Sequence, residues 1–173
     1  MLDAVLALLE SSALANYLSG GSAWVAVVIP GIVSVIVVAL YVKAGRFSTR
    51  LRVLWLCSLP VTFVCTRWDY TDGVHQLYIY SAFSVACVMI LFKRMYIAPP
   101  MAYALTFFSL SLVDITAALG HAIEWHLPVA TFYYGVGGAG IVDALFVVPL
   151  LTGAAAAYAA ARLKNSSPRL VYF

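Results

Sequence analysis

Long apolar stretches alternate with short polar breaks along this chain, and the stretches have the length of a bilayer crossing. A helix rising about 1.5 Å per residue needs about 20 mostly apolar residues to cross a hydrocarbon core about 30 Å thick. Five such stretches occur, at about Ala23 to Val42, Leu51 to Cys65, Val74 to Phe92, Met101 to Gly120 and Gly135 to Arg162. They predict an all-α fold, a polytopic transmembrane bundle of five spans. The second is short and carries Pro60, whose missing N–H predicts a kink or an exposed carbonyl.

The polar breaks give the orientation. Lys43, Arg46, Arg50 and Arg52 lie between the first and second spans, Lys93 and Arg94 between the third and fourth, and Arg162, Lys164 and Arg169 after the fifth. Basic residues beside spans stay on the cytoplasmic side, so the N-terminus is expected outside and the C-terminus inside. Arg67 is then the one basic residue on the outer side. All three His, with Asp3, Glu10, Asp69, Asp72 and Glu124, fall on that side too.

Composition narrows the class further. Hydrophobic residues make up 64% and charged residues 10%, against about 25% charged in ordinary globular domains. In 173 residues, five spans leave no room for a soluble catalytic domain. The net charge of +3 reads as topology. Nucleic acid is not expected, because no aromatic-interleaved basic stripe is present. The domain plan is an interfacial amphipathic segment over 1–22, the helical domain over 23–162 and a cytoplasmic tail over 163–173. In the first of these, Leu2, Val5, Leu6, Leu9, Ala13 and Tyr17 form an apolar stripe. Its charges are Asp3 and Glu10 alone, unlike the basic start of a secretory signal, so the segment is expected to remain in the mature protein. The compact plan points to a bacterial inner membrane.

Candidate chemistry gathers at the outer side. An ionisable group inside a span costs at least about 2.5 to 3.5 kcal/mol and usually faces a cavity or a partner. Asp114 and Asp143 are the two such groups, and both fall in the outer half of their spans. Asp114 is expected about 9 Å and Asp143 about 12 Å below the outer ends of the fourth and fifth helices, at a common depth. Asp114, Ala117, Ala118 and His121 share one stripe, and Val136, Ala139, Gly140 and Asp143 share another. The outer loops add Arg67, Asp69, Asp72, His75, His121, Glu124, Trp125 and His126.

Three chemistries fit this set. Asp114 and Asp143 can act as a carboxylate acid/base pair. His75, His121 and Glu124 can hold a divalent metal. Arg67, Asp69, Asp72, His75 and Trp125 can bind a small polar ligand, or the carboxylates and imidazoles can relay a proton. His75 and His121 could alternatively be the axial ligands of a haem b. Against all of these stands the plainer account, in which Arg67 pairs with Asp114 or Asp143 and fixes helix order. The chain is then a noncatalytic subunit of a larger membrane complex, or a homo-oligomer.

Other signals are weaker or exclude chemistry. Placing two Asp in late helices toward the outer face resembles membrane aspartyl peptidases of the lipoprotein signal peptidase type. The resemblance covers those two residues: the Asn-containing motifs of that family are missing, and Gly140, Ile141 and Val142 before Asp143 do not make GxGD. The string from His121 to His126 is not HExxH. Every lysine stands at a cytoplasmic helix end, which disfavours a retinal Schiff base. The glycines from Gly135 to Gly140 open a span rather than a βαβ unit, and read as a packing surface. Cys57, Cys65 and Cys87 form no CxxC and read as packing residues. Trp68, Tyr70, Tyr78, Tyr80, Trp125, Tyr133 and Tyr134 make an outer aromatic belt.

Overall fold

The computed structural model describes residues 21, 23–65, 67–71, 74–78, 83–84, 87, 95–124, 136, 143–166 and 171–172. Helices dominate them. A π-helical turn, Trp24–Val28, leads into α1 (Ile29–Lys43). It is followed by α2 (Thr49–Cys65), α3 (Pro99–Glu124) and α4 (Ala144–Ser166). Phe83, Ser84 and Cys87, in the third apolar stretch, are helical as well.

Two helices are long and apolar enough to cross a membrane, Trp24–Lys43 and Ala144–Arg162. Only 17% and 22% of their most apolar windows are buried within the fold, whereas a core helix of a soluble protein would be mostly covered. Their outward faces carry Ile32, Val35, Ile36 and Leu40 on α1 and Leu151 and Tyr158 on α4, all exposed. Exposed apolar area on this scale marks a surface made for something other than water.

The turn from α1 to α2 is built residue by residue. Gly45, at φ +65°, takes the left-handed conformation after the C-cap Ala44. The amides of Gly45 and Arg46 then donate to the carbonyls of Val42 and Tyr41 at 3.0 and 2.9 Å, completing a Schellman motif. Ser48 caps α2 by accepting from the amide of Leu51 at 3.2 Å. Arg52 closes the turn, donating through Nε and Nη2 to the carbonyl of Phe47 at 3.0 and 2.8 Å.

Three of the expected elements differ in extent. Val74–Tyr78, expected to open the third span, is strand β2, paired antiparallel with β1 (Arg67–Thr71). Thr71 pairs with Val74, so Asp72 and Gly73 join the strands, and Asp-Gly between alternating residues is a strong hairpin signal. The fifth span was expected from Gly135, but Val136 and Asp143 lie in bends and the helix begins at Ala144. Each Gly costs a helix about 1 kcal/mol relative to Ala, which favours the later start. At the other extreme α3 runs to Glu124, one turn beyond Gly120. A short parallel pair joins β3 (Met95–Tyr96) to β4 (Val171–Tyr172). The N-terminal stripe over 1–20 lies outside the described residues.

At the centre stands α3, buried on nearly every side from Met101 to Leu110. It packs most extensively on α4, then on α1, then on α2. One cluster unites Leu51, Phe83, Cys87, Met101, Leu105 and Ala156; a second unites Phe107, Leu110, Val136 and Leu145. Polar contacts reinforce the packing. The Trp55 indole donates to Ser109 Oγ at 2.8 Å and to the Leu105 carbonyl at 3.2 Å, joining α2 to α3. Thr152 reaches Ser84 Oγ at 3.1 Å, joining α4 to the third stretch.

Gly153 sets the closeness of α3 and α4. A Cβ there would stand 3.4 Å from Tyr103 Cβ and 3.5 Å from the carbonyl of Pro99. Gly153→Ala should therefore fold with little loss, because its methyl meets near-ordinary contacts. Gly153→Leu should force the helices apart and cost about 1–3 kcal/mol of overpacking. Thermal unfolding of both variants in detergent checks this.

Candidate functional site

The register of α3 against α4 places the two aspartates. Gly153 lies against Pro99 and Tyr103, Ala156 joins the cluster with Met101 and Leu105, and Leu145 joins the one with Phe107 and Leu110. The helices are thus antiparallel. Asp114 is one turn outward from Leu110 on the same face, which brings it level with the start of α4. Its side chain is 3% exposed. A carboxylate buried this deeply must be neutralised, paired or hydrogen-bonded.

Asp143 sits at a different kind of position from the one expected. The sequence placed it about two turns inside the fifth helix; the structure makes it the N-cap of α4. Its Oδ1 accepts the amide of Leu145 at 2.9 Å, and its carbonyl accepts the amides of Phe146 and Val147 at 3.0 and 2.9 Å. A carboxylate suits this end of a helix, where free amides and the positive end of the macrodipole meet. Capping gives Asp143 a local role that needs no ligand.

Both carboxylates therefore stand at the same end of the α3/α4 pair, the end away from Pro99. The π-helical turn before α1 flanks them, with Val27 packed on the cluster of Phe107, Leu110 and Leu145. Small residues make the approach close: Ala23 and Ala26 are fully buried. The π turn has a cause in Pro30, which has no N–H for the carbonyl of Ala26. The amide of Ile29 donates instead to the carbonyl of Trp24. Pro30 was the sequence signal for this element, and hydropathy alone passes over it.

The remaining site residues divide by element. In the hairpin, Arg67 and Asp69 fall on one face of β1 with the partners Tyr78 and Gln76, while His75 pairs with Tyr70 on the other face. The last turns of α3 carry His121, seven residues beyond Asp114, and Glu124 after it. Asp72, Trp125 and His126 lie outside the described residues, as do the side chains of Arg67, Asp69, His75, His121 and Glu124. Among the described residues no group of three His, Cys, Asp or Glu is placed to hold a metal. Cys57 is a free thiol on an exposed surface and Cys87 a buried one.

Set against protein-family models, curated proteins and solved structures, the chain matches none.

The cap separates structure from chemistry at Asp143. Asp143→Asn keeps a capping oxygen and should leave stability nearly unchanged, whereas Asp143→Ala should lose about 1 kcal/mol. Thermal or denaturant unfolding of the two variants measures the difference.

Proposed function

We propose that the chain is a multi-pass membrane protein with five spans, its N-terminus outside and its C-terminus cytoplasmic, in a bacterial inner membrane. Between its third, fourth and fifth spans lies an outward-facing polar site, centred on Asp114 with Asp143, that binds a proton, a cation such as a divalent metal, or a small polar ligand. Its role is in transport or membrane enzymology. The burial of Asp114 level with the start of α4 carries this reading, since an ionisable group in such a setting marks ion and proton sites.

Several observations support the topology. The apolar faces of Trp24–Lys43 and Ala144–Arg162 are largely uncovered. Lys43, Arg46, Arg50 and Arg52 gather at one end of α1 and α2, and the β1/β2 hairpin follows the other end of α2. Pairing of Met95–Tyr96 with Val171–Tyr172 brings the chain after the third and fifth spans to a common side.

The second reading, a noncatalytic subunit of a larger membrane complex or homo-oligomer, is favoured by the capping role of Asp143. In it, Asp114 serves helix packing alone. A divalent metal held by His75, His121 and Glu124 is a form of the first reading, and a haem b held by His75 and His121 is a form of the second.

Two experiments test the proposal. On a background with Cys57, Cys65 and Cys87 replaced by Ala, an impermeant thiol reagent should label Asp72→Cys in intact cells. It should label Arg46→Cys only after permeabilisation, and the reverse pattern would invert the topology. For the site, the purified chain should gain thermal stability with one of Na⁺, K⁺, Mg²⁺ or Zn²⁺, or on changing pH. A ligand at 100 times its Kd adds about 2.7 kcal/mol. Asp114→Asn should abolish the gain. Equal responses of the wild-type and Asp114→Asn proteins would sink the site and leave the subunit reading.

A further inference from the structure

We propose that the turn between α1 and α2 is a binding surface for the headgroups of anionic phospholipids in the cytoplasmic leaflet, a proposal that rests on the membrane reading above. Lys43, Arg46 and Arg50 are exposed, and none makes a side-chain hydrogen bond or ion pair among the described residues. Arg52 has another task. Its guanidinium is held by the carbonyl of Phe47 and lies 5.2 Å from the centroid of the Phe47 ring, fixing the turn that presents the other three.

Among the described residues no carboxylate side chain stands at this end. No Asp or Glu occurs from residue 11 to 68, from 73 to 113, or after Asp143. Arg50 and Arg52 stand in the first turn of α2, which has no acidic residue, so their charge adds to the positive end of the helix dipole. A further cation stands at this end. Ala156 packs in the cluster that includes Tyr41 and Phe47, and Arg162, less than two turns on, lies 5.3 Å from the centroid of the exposed Tyr158 ring. The result is a basic rim in which Lys43, Arg46 and Arg50 meet no carboxylate among the described residues.

Flanking apolar residues identify the occupant. Leu40 and Val42 before the turn and Val53 and Leu56 after it are exposed by 59%, 54%, 53% and 55%. Cations thus stand immediately beyond an uncovered apolar band, the position of a phosphate headgroup above its acyl chains. A soluble anion would use the charges and leave the apolar band without a role. Because the Schellman motif and the Ser48 cap hold the turn in shape, little ordering is left to occur on binding.

The full-length protein in detergent should be incubated with equal amounts of phosphatidylglycerol and phosphatidylcholine of the same acyl chains, and retained lipid read by mass spectrometry of the intact complex. The wild type should favour phosphatidylglycerol by about a hundredfold, with the preference falling about fivefold for each cation removed. Lys43→Gln, Arg46→Gln and Arg50→Gln together should bring the two lipids close to parity. Arg46→Lys with Arg50→Lys should keep the preference. Arg46→Gln alone provides a graded loss should the triple variant show altered helicity by circular dichroism. Equal retention by the wild type, or an unchanged preference in the substituted proteins, would overturn the proposal. Displacement of phosphatidylglycerol by equimolar inorganic phosphate would overturn it too, assigning the turn to a free anion. Recovery of the protein in the soluble fraction would instead defeat the membrane reading on which the proposal rests.

Discussion

Close approach of α4 to α3 at Gly153 fixes the register on which the rest of the molecule depends. A Cβ added at that position would stand 3.4 Å from Tyr103 Cβ and 3.5 Å from the carbonyl of Pro99. Every pairing outward then follows at 1.5 Å per residue: Ala156 with Met101 and Leu105, Leu145 with Phe107 and Leu110, and the start of α4 with Asp114. Between helices whose outward faces are apolar, close packing of this kind is joined by hydrogen bonds across the interface. Trp55 with Ser109 and Thr152 with Ser84 are such hydrogen bonds.

Burial is purchased unevenly along α3. Ser109 returns its hydroxyl to the carbonyl of Leu105 and Thr116 returns its own to Leu112, both at 2.8 Å. Thr106 on α3 and Ser34 on α1 are fully buried without a hydrogen-bond partner among the described residues. Leaving a hydroxyl unmatched costs about 1–3 kcal/mol, and the compensation is size, because small side chains let helices lie close.

The helices were legible from hydropathy where composition was uniform. Trp24–Lys43 matches the expected first span within a residue at each end, and Asp114 lies within the long α3 as expected. Boundaries were lost where local backbone chemistry overrode the apolar pattern. Val74, Leu77 and Tyr78 count as span residues by hydropathy, yet the Asp-Gly connection and the alternation around it make a hairpin. The glycines before Asp143 likewise count as apolar, but they oppose a helix while an aspartate readily caps one. That shift decides the site: Asp143 changes from a charge within a helix to one at its mouth. The pairing of His75 with Tyr70 was not legible, because the register of a strand cannot be assigned before the strand is recognised.

The π-helical turn at Trp24–Val28 has a consequence for how the N-terminal end of α1 can move. A bond from Ile29 back to Trp24 encloses one residue more than an α-helical turn does. Conversion of that turn to α geometry would re-index the residues before Pro30 by one place, a rotation of about 100°, while α1 beyond Pro30 kept its seat. A different member of the segment would then face Leu145 in place of Val27. The packing around Leu145 thus has a local means of exchanging one contacting residue for its neighbour without any displacement of the bundle.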